Sequence, residues 1–256
     1  MCGRYASSRD AGELAEEFGV EELRVDEPLP ADWNVAPTKE VYAVLTRPPK
    51  DDRPEERQLR TLRWGLVPSW AKDRSIGNRM INARMESVAE KPAFRKAFAS
   101  RRCLLPADGY YEWYPTEQRT KAGKPLKQPF FIRPKDGGVL AMAGLYEIWR
   151  DPSKPEEDPH PFLWSCTVIT TDAPDDLGRI HDRMPLMVER DRWAQWLDPA
   201  GPGALDLLVP AAPGRLEAYP VSTQVNSAGN NGPELVEPIP AEGAPEGASE
   251  ARGTDG

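Results

Sequence analysis

The chain has 256 residues, 39% of them hydrophobic and 29% charged, and a formal net charge of −8, which together predict a soluble globular protein. No run approaches the roughly 20 apolar residues of a membrane span, and no apolar stretch follows the N-terminus, so we expect neither a membrane anchor nor a secretory signal. Three cysteines exclude a disulfide framework and favour a reducing cytoplasm. Taken whole, the negative charge argues against a nucleic-acid binder.

The charge is, however, strongly segregated along the chain. Residues 10–32 carry a net charge of −8 and residues 234–256 a net charge of −5, whereas residues 53–135 carry a net charge of +11. Because a local field decides what a surface binds, this segregation allows a phosphate-binding face. A solvated surface of mixed charge is the alternative interpretation.

The first half of the chain mixes helical and strand patterns. Apolar residues at helical spacing predict helices over 10–23 and 86–99. Short apolar runs predict strands over 41–45 and 62–67. Residues 47–58 are rich in proline and charge and predict a loop.

The second half predicts mainly strands. Polar loops are expected over 115–128 and 150–160, and a helix after Glu189. Residues 241–256, rich in Gly, Ala, Pro and Glu, predict a disordered acidic tail. The predicted strands are 102–106, 109–114, 129–132, 139–149, 162–170 and 216–221.

Many short strands with few helices favour the α+β class. We expect a single domain over residues 1–240, with an antiparallel, barrel-like β-sheet core and a few peripheral helices. A doubly wound parallel sheet is disfavoured, because helices and strands do not alternate. The sequence contains no glycine-rich phosphate loop.

Potential metal ligands are scattered. The three cysteines contain no C-x-x-C pair, and His160 and His181 do not have H-x-x-x-H spacing. Because a structural zinc site needs four ligands at known spacings, we predict no metal site and no cofactor. Cys103 and Cys166 lie in apolar strands and are predicted to be buried structural thiols.

Cys2 is different, because removal of Met1 would leave it as the first residue. Its α-amine, with a pKa of about 7.7–8.0, would be partly neutral and nucleophilic at pH 7. An amine beside a thiol condenses with an aldehyde to a Schiff base, which the thiol closes to a thiazolidine ring. The alternative is an incidental cysteine at a frayed terminus.

Glu112 and His181 are candidate proton-transfer groups. Glu112 lies among four aromatic residues, where desolvation would raise the pKa of its carboxyl towards a general-acid range. His181 lies between Arg179 and Arg183, whose charges would lower its pKa and favour the neutral imidazole. The alternatives are a carboxylate on an exposed strand face and a structural histidine.

Residues 78–86 are dense in groups suited to phosphate. Arginine binds phosphate oxygens in a bidentate manner, and asparagine adds amide donors. For Arg84 and Glu86 a local ion pair is the alternative. Nearby, Trp70 is a candidate platform for unpaired bases, whereas we assign Trp64 to the core.

Six motifs in this order resemble the SOS response-associated peptidase (SRAP) family, whose members are abasic-site processing proteins. The match covers about residues 2–240, and each motif alone is weak. Glu86-Ser87 replaces the more usual Glu-Thr. The motifs are Met-Cys-Gly-Arg-Tyr at 1–5, Trp-Asn-Val-Ala-Pro-Thr at 33–38, Arg-Trp-Gly-Leu-Val-Pro-Ser-Trp at 63–70, Asn-Ala-Arg-Met-Glu-Ser at 82–87, Cys-Leu-Leu-Pro-Ala-Asp-Gly-Tyr-Tyr-Glu-Trp at 103–113 and Ile-His-Asp-Arg-Met-Pro at 180–185.

The resemblance implies that Cys2, freed of Met1, forms a reversible thiazolidine cross-link with the aldehyde of an abasic site in single-stranded DNA. Glu112 then assists ring opening and Schiff-base proton transfers, His181 assists ring opening and reversal, and Asn82 holds the Cys2 amine or the sugar. The implied DNA-binding residues are Arg4, Asn34, Pro37, Trp70, Arg84 and Arg183.

Two rival functions stay open at this point. One is an N-terminal cysteine peptidase that acts on other proteins, and the other is a non-catalytic module that binds DNA junctions. Removal of Met1 by autoproteolysis or by an aminopeptidase also stays open. We expect a cytoplasmic, nucleoid-associated monomer whose partners are abasic single-stranded DNA and replication-fork proteins.

Overall fold

A computed structural model describes residues 2–47, 55–173, 175–201, 204–210 and 212–239, without the side chains of Asp175 and Asp176. Its strands are β1 (Tyr5–Ser7), β2 (Glu22–Arg24), β3 (Asp32–Val35), β4 (Glu40–Arg47), β5 (Glu56–Trp64), β6 (Asn82–Arg84), β7 (Arg102–Ala107), β8 (Gly109–Arg119), β9 (Pro125–Pro134), β10 (Leu140–Arg150), β11 (Phe162–Asp172), β12 (Arg183–Pro185) and β13 (Leu216–Pro220). Its α-helices are α1 (Ala11–Phe18), α2 (Arg95–Ser100), α3 (Asp175–Gly178) and α4 (Trp193–Leu197). Short 3-10 helices include Arg74–Arg79 and Thr223–Asn226.

Five strands form a closed barrel in the order β11-β10-β7-β4-β5. Four of the five pairings are antiparallel. The barrel closes through a short parallel pairing of β5 with β11, where Arg63 lies opposite Ser165 and Trp64 opposite Cys166. Strands β2, β6 and β12 extend the sheet from the closed ring. This confirms the α+β class with a barrel-like, mainly antiparallel core.

A second sheet, in the order β13-β9-β8-β1-β3, brings the N-terminus into the fold. Tyr5 of β1 lies opposite Tyr110 of β8 on one side and opposite Val35 of β3 on the other. Because β1 is a central strand, the residues just before it are held in place rather than frayed.

The core contains the largest aromatic residues of the barrel. Trp64 and Trp196 are fully buried, and their indole N–H groups donate to the carbonyl oxygens of Ile81 and Cys103. Cys103 and Cys166 are also fully buried free thiols. The predictions of a core tryptophan at 64 and of two buried structural cysteines are therefore confirmed.

The helix predicted over 10–23 is shorter than expected. Asp10 and Glu13 form a capping box that starts α1, and Gly19, at φ +58°, ends it. The chain then enters β2, in which Leu23 is 54% exposed instead of continuing the apolar face of the helix. The prediction failed because Leu23 continues the helical spacing, whereas the glycine ends the helix.

The helix predicted over 86–99 is also wrong over most of its length. Only Arg95–Ser100 is α-helical, and a 3-10 turn at Met85–Ser87 and further turns precede it. Val88, Phe94 and Phe98 are nevertheless buried in one cluster. Successive turns bring these three side chains to the same buried cluster. Hydrophobic periodicity alone does not distinguish such a series of turns from a continuous helix.

Two predicted loops contain strands. Residues 56–58 of the loop predicted over 47–58 belong to β5, and residues 48–54 lie outside the described part. The loop predicted over 115–128 is instead the outer half of a hairpin of β8 and β9, in which Pro115 lies opposite Lys127. Backbone hydrogen bonds between β8 and β9 hold this hairpin together, although neither of its faces is apolar. Its sequence therefore lacks the alternation of apolar and polar residues by which strands are recognised.

The remaining strand predictions overlap observed strands, although the run 62–67 extends past the end of β5 at Trp64. A 3-10 turn and α4 follow Glu189, as predicted. In the described ranges, no helix is both long and apolar enough to cross a bilayer. The predicted tail, 241–256, lies outside the described residues.

Candidate active site

Cys2, three residues before β1, contacts Asn82, the first residue of β6. The Asn82 side chain donates from Nδ2 to the carbonyl oxygen of Cys2 over 2.8 Å. Asn82 is itself held by parallel pairing with Val168 of β11. Its Oδ1 is buried and has no hydrogen-bond partner within the described part of the chain. One end of this amide therefore fixes Cys2, and the other is available to a donor.

The Cys2 thiol lies in the apolar interior. Its residue is fully buried beside Tyr5, Trp64 and Tyr110. Burial raises the pKa of the thiol far above its ordinary value, and the nearby Glu112 carboxylate raises it further. Cys2 is therefore a neutral thiol, and it needs a base before it can attack as a thiolate.

Glu112 is the nearby acid–base group. It lies in β8 opposite Phe130 and is 4% exposed. Burial raises the pKa of its carboxyl from 4.5 to about 7, as the aromatic surroundings predict. At neutral pH the carboxyl therefore exists in both protonation states, as a general acid–base requires.

His181 is held in its neutral form. The pKa of its imidazole is lowered, first by burial, whereas the charge of Asp182 opposes this effect. The direction agrees with the sequence-based prediction, but the cause is burial rather than the flanking arginines. The backbone N–H of Arg183 donates to Nδ1 over 3.0 Å, and Asp182 Oδ1 lies 3.0 Å from the same nitrogen.

Tyr110 is a further polar group that sequence reasoning missed. Its hydroxyl is buried and has no hydrogen-bond partner among the described residues. After burial, the charges of Cys2 and Glu112 are the next causes that raise the pKa of this phenol, so the three groups are neighbours. The signal was present in the sequence, because residues 110 and 112 lie on the same face of a strand.

Arg4, the residue before β1, is hydrogen-bonded to Asn34 of the neighbouring strand β3. Arg4 Nη1 donates to Asn34 Oδ1 over 2.6 Å and to the carbonyl of Val225 over 2.9 Å. Asn34 is fully buried, and its Nδ2 donates to the carbonyls of Val225, Ser227 and Asn230. The geometry thus gives Asn34 a structural contact with residues 225–230, while Arg4 is half-buried next to it.

Arg183 is largely committed to other protein groups. Its Nη1 lies 2.7 Å from Glu86 Oε1 and 2.6 Å from Asp172 Oδ1, and the residue is 8% exposed. Glu86 therefore pairs with Arg183 rather than with its sequence neighbour Arg84. Arg84 is exposed on β6. Of these two arginines, Arg84 is the one presented to solvent.

Trp70 and Pro37 lie on segments that leave the same end of the barrel. Trp70 is 57% exposed, which is unusual for so large an aromatic residue. Pro37 is followed by Thr38 at φ +77°, and the Thr38 N–H donates to the carbonyl of Trp64 over 2.9 Å. A β-branched residue with positive φ is strained, and such strain concentrates at functional sites.

The turn after β5 requires two glycines. Gly65 has a φ of +124°, and a Cβ on it would lie 2.6 Å from the carbonyl oxygen of Gly77. This close approach packs the segment that carries Trp70 onto the 3-10 helix at Arg74–Arg79. No three His, Cys, Asp or Glu residues in the described ranges are grouped as metal ligands.

Known proteins match most of the chain. The sequence profile of the SOS response associated peptidase (SRAP) family matches residues 1–228. "Abasic site processing protein YoqW" of Bacillus subtilis (strain 168) is 40% identical over 93% of this chain and 99% of that protein. "Abasic site processing protein HMCES" of Gallus gallus is 30% identical over 93% of this chain and 78% of that protein.

A solved structure of a protein from Bacteroides thetaiotaomicron superimposes with a TM-score of 0.74 at 25% identity, covering 93% of this chain and 100% of that one. The range matched by the family profile contains residues 2, 82, 112 and 181. The profile match over most of the length decides the family. The chain belongs to the SOS response associated peptidase (SRAP) family.

Proposed function

We propose that this protein recognises abasic sites in single-stranded DNA and, after Met1 is removed, binds them covalently through Cys2 as a thiazolidine. One observation carries the proposal: Cys2 is held by Asn82 and lies beside Glu112, a carboxyl whose pKa burial raises to about 7. The relatives named as abasic site processing proteins support the choice of substrate.

The first step is attack by the neutral α-amine of Cys2 on the aldehyde of the ring-opened sugar, which forms a carbinolamine. Protonated Glu112 donates its proton to the departing hydroxyl group, which leaves as water, and the nitrogen becomes an iminium. Asn82 Oδ1 accepts a hydrogen bond from the amine and orients it. The ring N–H of neutral His181 donates to a sugar oxygen and favours the open-chain aldehyde.

The second step closes the ring. The Glu112 carboxylate takes the proton of the Cys2 thiol, and the thiolate adds to the iminium carbon. The electron pair of the C=N bond returns to nitrogen, which leaves a neutral thiazolidine and a protonated Glu112. The sum is amine, thiol and aldehyde giving thiazolidine and water, and the same proton transfers in reverse release the DNA.

The exposed groups around this site suit a single strand. We assign phosphate binding to Arg84 and Arg4, and base stacking to Trp70 and Pro37. Arg183 is the remaining proposed phosphate ligand, and its exposed partner Asp172, whose side chain is 83% accessible, is the group that a phosphate would displace. The protein acts as a monomer on the DNA in this proposal.

The test is denaturing electrophoresis after incubation with a uracil-excised oligonucleotide. We expect a shifted band from wild type and none from Cys2→Ala, whereas Cys103→Ala, which removes an equally buried thiol, keeps the band. Intact mass spectrometry checks that Met1 is absent in each sample. A stable adduct with Cys2→Ala would overturn the thiazolidine mechanism, and cleavage of other proteins without DNA would favour the peptidase alternative.

A further inference from the structure

The outer half of the β8–β9 hairpin, residues 115–127, projects from the fold as a basic arm, and we propose that it binds the phosphates of the DNA strand on one side of the abasic site. This inference rests on the proposed function and extends its DNA contacts beyond the residues in the family-like motifs. The partner it fits is a single-stranded polyanion.

The arm is exposed on both faces. Every side chain from 117 to 127 is exposed, and Leu126, its large apolar residue, is 42% accessible. A two-stranded ribbon without an apolar face is only marginally stable on its own in water. The arm's own backbone pairing and the turn closed by Thr120 and Lys124 keep it extended. Such a ribbon gains most from a partner that contacts its side chains.

The net positive charge of the arm indicates a polyanionic partner. It carries Arg119, Lys121, Lys124 and Lys127 against Glu117 alone. None of these four cations forms an ion pair with another described residue. Further along β9, by contrast, Arg133 forms an ion pair with Glu217 of β13. Unpaired cations spaced along an exposed ribbon match the repeating phosphates of a nucleic-acid strand.

The base of the arm adjoins the reactive groups. Glu112 lies in β8 three residues before Pro115, which is paired with Lys127. Burial, the largest influence, raises the pKa of Glu112 and lowers that of His181, and the positive charge of Lys127 makes a small contribution that lowers both pKa values. A strand whose sugar reaches Glu112 therefore passes the base of the arm, and its flanking phosphates lie within reach of the tip.

The test measures equilibrium binding to a single-stranded oligonucleotide with a central tetrahydrofuran residue, which mimics an abasic site but has no aldehyde. The tip variant Arg119→Gln/Lys121→Gln/Lys124→Gln removes three charges and spares Lys127 beside the site. The control Lys91→Gln/Arg95→Gln/Lys96→Gln removes three exposed charges in and before α2. We expect the slope of log affinity against log salt to fall by about 2 for the tip variant, since each lost phosphate contact contributes about 0.7.

Oligonucleotides that lack either the 5′ or the 3′ flank locate the contact. We expect the tip variant and wild type to differ on one of these and to bind the other equally. An unchanged slope in the tip variant, or an equal loss in the control, would overturn the proposal, and so would absence of binding by wild type. If the tip variant lowers the slope on this DNA but wild type does not cross-link the aldehyde form, the proposed function is refuted and the arm is supported.

Discussion

At the scale of single residues, the reactivity of the site is produced by burial. Cys2 is a neutral thiol because it is fully buried, and Glu112 is a half-protonated carboxyl for the same reason. A neutral thiol is a poor nucleophile until a base removes its proton. In the proposed mechanism burial therefore makes Cys2 dependent on Glu112, and this dependence would restrict its reactivity to substrates that first engage the amine.

The rate of cross-linking should have a bell-shaped dependence on pH. Protonated Glu112 is lost as pH rises through about 7, whereas the neutral α-amine is lost as pH falls below about 7.7. We expect a maximum near neutrality, measured as the rate constant at saturating DNA across pH 5.5–9. In Glu112→Gln the rate should fall at least tenfold and the alkaline limb should disappear. An alkaline limb retained in this variant would assign the acid to another group.

Tyr110→Phe should separate stability from activity. The phenol hydroxyl is buried without a partner among the described residues, so its removal should raise the free energy of unfolding by about 1 kcal/mol, measured by urea denaturation. If this hydroxyl donates to the substrate, cross-linking should slow about tenfold. Tyr111→Phe is the matched control, since the Tyr111 hydroxyl already donates to the Trp33 carbonyl and its loss should lower stability.

Sequence reasoning succeeded at this scale where the chemistry is local. The raised pKa of Glu112 follows from the aromatic residues next to it in the sequence. Cys2 was singled out because removal of Met1 would make it the first residue, and its role stays a prediction. The commitment of Arg183 to Glu86 and Asp172 was missed because Glu86 lies on a distant segment. The link from Asn34 to residues 225–230 was missed for the same reason.

At the scale of elements, the chain uses backbone pairing where its side chains give no pattern. The arm is polar on both faces, so periodicity indicated a loop, yet its strands are paired. Alternate residues of the apolar runs in β4, β7, β10 and β11 pack into two separate buried clusters, and these runs were recognised from sequence. The order in which the strands pair in the barrel was not predicted from sequence. The paired strands β5 and β11, for example, are separated by about 100 residues of chain.

Asn34 ties the segment around residues 225–230 to β3, and Asn34→Ala should release it. The variant loses three side-chain hydrogen bonds to backbone carbonyls and one from Arg4. We expect a loss of about 2–3 kcal/mol in the free energy of unfolding and faster amide hydrogen exchange in this segment. Unchanged exchange with weakened DNA binding would instead identify Asn34 as a DNA contact.

At the scale of the whole molecule, the net charge of −8 says little about the binding face. The positive segment 53–135 contains Trp70, Asn82, Arg84, Glu112 and the whole arm. The two negative segments, 10–32 and 234–256, contain none of the proposed site residues. Charge is therefore polarised along the sequence, and we expect the acidic segments to limit non-specific contact with DNA.

Deletion of residues 241–256 tests this polarity. It removes a net charge of −3 without touching a proposed site residue. We expect tighter binding to undamaged DNA at low salt and an unchanged rate of cross-linking at saturating abasic DNA. A control that keeps the tail length but replaces its acids by Gln should match the deletion. Unchanged binding to undamaged DNA in both variants would refute a screening role for the tail.

The parallel pairing of β6 with β11 also sets when the proposed site is assembled. The amine and thiol are contributed by the first residues to leave the ribosome, whereas His181 is made about 180 residues later and β6 is ordered by β11. Until β11 has joined the barrel, a growing chain carries the nucleophile without a fixed Asn82. Before the fold is complete, the Cys2 thiol is not buried and has no fixed Asn82 or Glu112 beside it, so the arrangement proposed for cross-linking is assembled only with the completed barrel.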